Sequence, residues 1–140
     1  MLKKIAFASI VMTFFATGVA GAAKMGTYVT LHKTSLGNVL ATVGGKTLYL
    51  YVPDGTTNTS TCVDACAQEF PPLKTATKPV AGMGVRQSLL HTTKRPGGRL
   101  QVTYNGHPLY TYSGDTAKGQ TNGEGLDGNW YVVTAAGNQK

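Results

Sequence analysis

Gly37–Asp54 reads GNVLATVGGKTLYLYVPD, and Gly98–Asp115 reads GRLQVTYNGHPLYTYSGD. The two segments align without a gap at an offset of 61 positions (98 − 37), and seven of their eighteen pairs are identical. The identical pairs are Gly37/Gly98, Thr42/Thr103, Gly45/Gly106, Leu48/Leu109, Tyr49/Tyr110, Tyr51/Tyr112 and Asp54/Asp115. Identity at this density indicates an internal repeat.

The repeat extends beyond these segments into two copies of one unit. The copies run roughly over residues 28–73 and 89–133, and residues 74–87 link them. The same offset places Glu69 and Phe70 on Trp130 and Tyr131. Because a single three-stranded unit cannot bury a core, we expect the two copies to pack as one domain.

Each copy has the pattern of a β-meander. The dipeptides Gly44-Gly45 and Asn105-Gly106 each separate two alternating runs, as in hairpins with type I′ turns. Further strands are predicted over residues 28–33, 90–94 and 130–134, a prolyl edge segment over 70–73, and a helix over 63–69 capped by Ser60 or Thr61. We therefore predict an all-β fold with one short helix. The two tandem meanders should pack as a small sandwich or part-closed barrel with pseudo-two-fold symmetry.

The first 22 residues have the layout of a secretory signal peptide. Lys3 and Lys4 precede an apolar run over residues 5–19, and Ala20-Gly21-Ala22 supplies a small-x-small cleavage site. The alternative is an uncleaved anchor, but the run is shorter than the roughly 20 residues of a spanning helix. Since no cysteine follows directly, we expect no lipid anchor. The expected product is a single periplasmic or secreted domain over residues 23–140, without stable membrane insertion after signal cleavage.

Cys62 and Cys66 are the two cysteines of the chain. An even count in an exported protein predicts a disulfide, and the spacing of four places both side chains on one face of a helical turn. Metal ligation and redox chemistry are the alternatives. The spacing matches neither a thioredoxin-type pair nor a haem-attachment motif.

The charge is basic but dilute. Thirteen Lys and Arg residues oppose six Asp and Glu residues, for a formal net charge of +7. The densest basic stretch covers residues 94–99, and it has two interpretations: attraction to anionic envelope polymers or lipid head groups, or a solvated hairpin turn. Export argues against a nucleic-acid partner.

Two segments carry a resemblance to a known family. Residues 49–54 and 110–115 both fit Tyr-x-aromatic-x-x-Asp, and Cys62-Val-Asp-Ala-Cys66 and Pro71-Pro72 follow the first of them. The chain resembles the bacterial "secreted repeat of unknown function" family, predicted lipoproteins with this motif. The resemblance implies an extracytoplasmic location and a duplicated β-rich unit, and it implies no activity. The chain departs from the family pattern in lacking a lipobox cysteine and in carrying Phe70 where Trp is expected.

The twin motif is the best candidate for a binding surface. Its residues are Tyr49, Tyr51, Asp54, Tyr110, Tyr112 and Asp115, to which we add Trp130. In one interpretation they line an aromatic cleft between the copies that binds sugars, quinones or another planar ligand. In the other, the tyrosines pack the seam between the copies and each Asp accepts hydrogen bonds from turn amides.

Candidate metal ligands are scattered along the chain. His32, His91 and His107, with Met25 and Met83, are possible copper ligands, but no two lie at a recognised spacing. The loop over residues 115–130 carries Asp115, Asn122, Glu124 and Asp127 among glycines, which suits Ca²⁺ without matching the EF-hand spacing. We therefore predict no cofactor, with a bound metal as the alternative.

These patterns favour a small, non-enzymatic binding or interaction protein of unknown ligand. Its partner would be an envelope component or a small planar ligand. One alternative is a metal- or redox-linked periplasmic protein that uses His, Met and Tyr residues. Another is an enzyme that acts on envelope polymers through Asp54 and Asp115, although the chain has neither Gly-x-Ser-x-Gly nor His-Glu-x-x-His.

Overall fold

The structure is a computed structural model that describes residue 13 and residues 24–140. The predicted signal peptide over residues 1–22 lies outside the described residues, with residue 13 as the one exception. Within the described part of the chain, no helix is both long and apolar enough to cross a membrane.

The described chain folds into short strands and a single short α-helix. The strands are β1 (Tyr28–Thr34), β2 (Gly37–Ala41), β3 (Tyr49–Tyr51), β4 (Lys74–Thr75), β5 (Val80–Ala81), β6 (Leu90–Lys94), β7 (Leu100–Tyr104), β8 (His107–Pro108) and β9 (Trp130–Val132). The helix α1 covers Ala65–Glu69, and 3₁₀ turns cover Val52–Asp54, Gln87–Leu89 and Leu126–Gly128. The predicted all-β fold with one short helix is confirmed. Its described strands form several small sheets and do not close into a barrel.

Each copy begins with an antiparallel hairpin. In the first copy β1 pairs with β2, and in the second copy β6 pairs with β7 over five residue pairs in each case. In β7 the apolar Leu100, Val102 and Tyr104 alternate with polar residues. In β2 both faces are buried: Leu40 packs with Val102 in one cluster, and Val39 packs in another.

Backbone pairing also joins the two copies. β3 of the first copy runs antiparallel to β9 of the second. In addition, the prolyl segment of the first copy runs beside the second motif, where Leu73 N–H donates to the Leu109 carbonyl at 2.9 Å. Strand β3 and the prolyl segment of the first copy are therefore both bonded to the backbone of the second copy.

Tyr49 and Tyr110 lie at the centre of this pairing. The alignment makes the two residues equivalent, and they exchange both backbone hydrogen bonds with N···O distances of 2.8 and 3.0 Å. Equivalent residues that bond reciprocally lie on an axis relating the two copies. The copies consequently form one body with pseudo-two-fold symmetry.

The two hairpin turns after β2 and β7 differ in type. Asn105 and Gly106 have φ values of 51° and 80°, as a type I′ turn requires. In the first copy Gly45 has a positive φ of 87° but Gly44 does not, and Gly45 N–H donates to the Thr42 carbonyl at 2.9 Å. The type I′ prediction is therefore wrong for the first copy, which uses a three-residue loop with a bulged glycine.

Two further segments differ from expectation. α1 begins at Ala65 rather than residue 63, and Asp64 at its N-cap forms no side-chain capping bond. The predicted caps Ser60 and Thr61 bind the motif residues instead. The segment over residues 74–87, predicted as a linker, carries β4 against β7 and β5 parallel to β1. Its backbone therefore extends the sheets of both copies.

Two apolar clusters form the core. The larger consists mainly of aliphatic side chains from both hairpins, with Tyr104 among them. The second is aromatic and contains the buried residues Val39, Tyr49, Cys62, Phe70, Tyr110, Trp130 and Val132. Burying one such aliphatic or aromatic side chain contributes about 2 kcal/mol. The aromatic cluster contains most of the residues selected from the sequence.

Candidate functional site

Two tyrosine–aspartate pairs cross between the copies. The Tyr49 hydroxyl donates to Asp115 Oδ2 at 2.6 Å, and the Tyr110 hydroxyl donates to Asp54 Oδ2 at the same distance. Each tyrosine therefore bonds the aspartate of the other copy and not the one five residues along its own chain. Hydrogen bonds to an ionised carboxylate are short and about twice as strong as neutral ones.

Each aspartate also closes a loop. Asp54 Oδ1 accepts the Thr61 backbone N–H at 2.7 Å, and Asp115 Oδ1 accepts the Asn122 backbone N–H at 2.9 Å. The two acceptors, Asp54 and Asp115, are related by the repeat offset of 61, and so are the two donors, Thr61 and Asn122 (115 − 54 and 122 − 61). The closure of the loop is therefore part of the repeat. The bonded amide lies seven residues beyond the aspartate, which is farther than the adjacent turn amides we expected.

The two phenols remain protonated over a wide pH range. Burial raises the pKa of Tyr49 and of Tyr110 well above 10.0, and the hydrogen bond to Asp115 or Asp54 raises it further. A phenol with a raised pKa is a permanent hydrogen-bond donor near neutral pH. Neither side chain is suited to act as a general base there.

Four aromatic rings stack face to face beside these pairs. Their order is Tyr112, Phe70, Trp130 and Tyr51, with centroid separations of 4.7, 3.5 and 4.4 Å and interplanar angles of 25°, 2° and 25°. Tyr49 and Tyr110 meet Phe70 and Trp130 edge-on at 6.1 and 5.2 Å. Aromatic contacts of this kind are worth about 0.5–1.5 kcal/mol each beyond burial. The stack therefore joins the two copies through their side chains.

The stack corrects the sequence alignment at its end. Phe70 and Trp130 occupy equivalent places in the stack, at an offset of 60 (130 − 70), whereas the alignment placed Trp130 on Glu69. The path from Asp115 to Trp130 is one residue shorter than the path from Asp54 to Phe70 (15 steps against 16). A one-residue difference in loop length accounts for the shift.

Most of the candidate surface lies in the interior. Tyr49 and Tyr110 have no exposed area, and Trp130, Asp54 and Asp115 are 3%, 4% and 3% exposed. Tyr51 and Tyr112, at the two ends of the stack, are half-buried. The structure thus brings all seven residues together, but only the end rings reach solvent. Among the described residues, Asp54 and Asp115 have no hydrogen-bond partner in common.

A disulfide and an arginine support the first copy. Cys62 and Cys66 form the predicted disulfide, with a Cα–Cα distance of 5.3 Å. Arg95 reaches over from the β6–β7 turn, where Nη2 donates to the Cys62 carbonyl at 2.8 Å and Nη1 donates to Ser60 Oγ at 2.8 Å. Arg95 therefore fixes the loop that carries the disulfide.

Ser60 connects Arg95 to the buried tyrosine. Ser60 Oγ lies 2.6 Å from the Tyr110 hydroxyl, and because Tyr110 donates its single proton to Asp54, Ser60 is the donor here. Sequence reasoning treated Arg95 as part of a basic turn and missed this role. No signal in the sequence points to it, because Gln101, whose Oε1 accepts from Arg95 Nη1 at 2.9 Å, occupies a polar position of an alternating strand and is nevertheless fully buried.

The corresponding loop of the second copy uses glycine and glutamate. Gly123 N–H donates to the Tyr49 hydroxyl at 3.2 Å. A Cβ at Gly123 would lie 2.9 Å from the Tyr49 ring, so only glycine fits without a shift. Glu124 Oε2 accepts the Val132 N–H at 2.7 Å. Three of the four side chains proposed for Ca²⁺ are thus bonded within the protein: Asp115, Glu124, and Asn122, whose Nδ2 donates to the Gly114 carbonyl at 3.3 Å.

The three histidines lie on three different strands. His32 is in β1, His91 in β6 and His107 in β8. Within residue 13 and residues 24–140, no three His, Cys, Asp or Glu side chains converge as a metal site would require. Burial lowers the pKa of His107, whose buried Nδ1 has no hydrogen-bond partner among the described atoms. Met25 and Met83 are exposed by 72% and 92%.

The comparison with known proteins gives one match. The sequence model of a family described as a secreted repeat of unknown function matches residues 30–74 and 91–134. These two ranges coincide closely with the two copies described above. No curated protein and no solved structure matches the chain.

Proposed function

The chain belongs to the family of secreted repeats of unknown function, and on that premise we propose that it is an exported, non-enzymatic binding protein. Its twin motifs join the two copies into one rigid body, and its ligand binds at the surface of that body. The mature domain acts in the periplasm or outside the cell after signal cleavage near Ala22.

One observation carries this proposal: the polar groups of both motifs are bonded to each other in the interior. The Tyr49 and Tyr110 hydroxyls donate to carboxylates, and each carboxylate also holds a backbone amide. General acid–base or nucleophilic work requires a group within reach of a substrate. Asp54 and Asp115 are almost fully buried, which favours a structural role.

The distribution of charge supports a binding role at the surface. Two of the six acidic residues, Asp54 and Asp115, are buried, whereas the basic residues are largely exposed. The surface is therefore more basic than the composition indicates. A basic surface outside the cytoplasm attracts anionic components of the envelope.

The test uses the exported protein and purified envelope polymer. Mature protein is incubated with cell-wall material, co-sedimentation measures binding, and mass spectrometry of the supernatant detects released fragments. We expect co-sedimentation without released fragments. Fragments that appear with the wild type and disappear with folded Asp54→Asn or Asp115→Asn would establish the enzymatic alternative instead.

A thermal-shift screen identifies the ligand class. Metals, haem, quinones and glycans are added separately to the mature protein, because a ligand that binds only the folded state raises the melting temperature. We expect an anionic glycan to raise it and the metals to leave it unchanged. A rise with copper that is lost in His32→Ala, His91→Ala or His107→Ala would favour the metal-linked alternative.

The export part of the proposal has its own test. N-terminal sequencing of the protein recovered outside the cytoplasm should give a chain that starts at Ala23 or Lys24, after cleavage behind Ala22 or Ala23. A chain that retains residues 1–22 and sediments with the membrane would contradict it.

A further inference from the structure

An open groove lies in the surface of the molecule, and no residue of the twin motifs lines it. Three separate segments form it: residues 24–27 before β1, residues 74–76 at β4, and residues 98–100 at the start of β7. The groove has a volume of about 610 Å³. Space of this size admits several units of a narrow chain molecule.

The walls of the groove are fixed by hydrogen bonds. Thr27 N–H donates to Thr75 Oγ1 at 2.9 Å, and the Thr27 hydroxyl donates to the Lys74 carbonyl at 2.8 Å. β4 is in turn paired with β7, with Lys74 opposite Gln101. The three segments therefore hold their relative positions without a ligand, so that binding requires little ordering of the backbone.

A close backbone approach also holds the N-terminal wall. A Cβ at Gly26 would lie 1.8 Å from the Lys78 carbonyl oxygen, so this contact needs glycine. The segment before β1 consequently lies flat against the chain that follows β4.

Each wall contributes one cation. Lys24, Lys74 and Arg99 line the groove, and all three are exposed. No Asp or Glu among the described residues lines it. Three like charges in one groove, with no lining carboxylate between them, repel one another and attract an anion from solution.

The repeat does not require these charges. Arg99 aligns with Asn38 of the first copy, Lys74 lies outside both aligned segments, and Lys24 precedes the first copy. A charge that the pseudo-symmetric fold leaves unspecified is free to serve recognition. The groove is also separate from the aromatic stack, whose residues do not line it.

We propose that this groove binds a linear, phosphate-bearing polyanion of the cell envelope, with the three cations contacting successive phosphate groups. This inference rests on the proposed binding function and names its site and ligand class. Two of the three cations are lysines, which bind phosphate as point charges and need no planar, bidentate partner. Leu100 and the exposed Met25 supply apolar wall between the charges for the spacers that join the phosphates.

A polymer fits the groove better than a membrane surface does. The cations line a groove between three segments, and a linear chain can lie along a groove, whereas a bilayer presents a broad face. Electrostatic binding to a chain of phosphates should weaken steeply with salt. With three contacts we expect log Kobs to fall against log salt concentration with a slope of about −2 to −3.

The experiment titrates mature protein with inorganic polyphosphate of defined short length at several salt concentrations. The groove variant carries Lys24→Ala and Lys74→Ala, and a matched control carries Lys33→Ala and Lys118→Ala. Both variants lose two positive charges, but the control lysines do not line the groove. Melting curves of all three proteins establish that they are folded.

We expect the groove variant to lose at least ten-fold in affinity and the control to lose less than about two-fold. An equal loss in both variants would overturn the site, because it would reflect net charge alone. No binding of polyphosphate by the wild type would overturn the ligand class and would leave the envelope co-sedimentation result standing. Groove-dependent binding to vesicles containing phosphatidylglycerol, without binding to polyphosphate, would replace the polymer by a membrane.

Discussion

The two tyrosine–aspartate pairs have one geometry and two kinds of support. In both pairs a buried tyrosine hydroxyl donates to a carboxylate at 2.6 Å. The carboxylate also accepts a hydrogen bond from the backbone amide seven residues later in the chain. Around Asp54 the support is covalent and cationic, since the disulfide follows in the loop and Arg95 binds that loop. Around Asp115 the support is the close packing of Gly123 on Tyr49.

The difference separates what the fold needs from what each copy can vary. Cys62 and Gly123 occupy equivalent positions (123 − 62 = 61), yet one forms a cross-link and the other leaves space for a ring. The crossed hydrogen bonds and the ring stack are common to both copies. They are therefore the requirement of the fold, and the means of closing each loop is secondary.

The largest effect should follow from deleting a central ring. Tyr49→Ala and Tyr110→Ala each remove a fully buried aromatic side chain and leave a buried carboxylate without its donor. We expect each to lower the free energy of unfolding by about 4 kcal/mol, as losing a buried aromatic does. Urea unfolding of the two variants measures it. If the losses in Tyr49→Ala and Tyr110→Ala differ by more than about 2 kcal/mol, the two rings do not contribute equally to stability.

Alkaline pH should weaken both pairs together. Because the pKa of Tyr49 and of Tyr110 is raised in the folded state, the unfolded chain loses their protons first. Their contribution is complete below pH 10 and is lost as the pH rises above it, by up to about 1.4 kcal/mol per pH unit for each phenol.

The comparison of the two phenols uses Tyr49→Phe and Tyr110→Phe. Urea midpoints are measured between pH 8 and 12 for the wild type and both variants. Each variant should lose about half of the excess pH dependence. A variant whose midpoint follows the wild-type curve would show that its phenol is not held protonated by folding.

Neutralising one aspartate should have a smaller effect. Asp54→Asn and Asp115→Asn keep the side-chain shape but replace a charged acceptor of buried hydrogen bonds, at a cost of about 2 kcal/mol. Asp54 should cost more than Asp115, because Asp54 Oδ1 also accepts from the Thr61 hydroxyl at 2.7 Å. Thermal unfolding of the two variants measures both losses, and repeating it with calcium tests whether the Asp115 loop binds that ion. A melting temperature that rises with calcium in the wild type, but not in Asp115→Asn, would support a cation site in the loop over residues 115–130.

Removing either loop support should cost no more than neutralising an aspartate. Removing the disulfide with Cys62→Ser and Cys66→Ser should cost about 2 kcal/mol, since the closed loop is short. Gly123→Ala should cost about 1–2 kcal/mol through overpacking against Tyr49. Chemical unfolding of the double serine variant and of Gly123→Ala compares the two losses of unfolding free energy. Reductant should change the melting temperature of the wild type and leave the double serine variant unchanged.

Several features followed from the sequence because they are local. The β character, the short helix and the disulfide depend on alternation and spacing within a few residues, and the repeat follows from direct comparison of two segments. The type I′ turn at Asn105-Gly106 was readable for the same reason. The alignment failed at Phe70 because a one-residue change in loop length shifts every later position.

Only the tertiary structure decided whether each motif residue bonds within its own copy or with the other copy. Two copies with the same motif can pair within a copy or between copies, and the local pattern is identical in both cases. The crossing of Tyr49 to Asp115 and of Tyr110 to Asp54 is therefore invisible in the sequence. It accompanies the antiparallel pairing of β3 with β9 of the other copy, which brings the two motifs together. Arg95 escaped sequence reasoning because its partners Ser60 and Cys62 are more than thirty residues away, and packing alone brings them together.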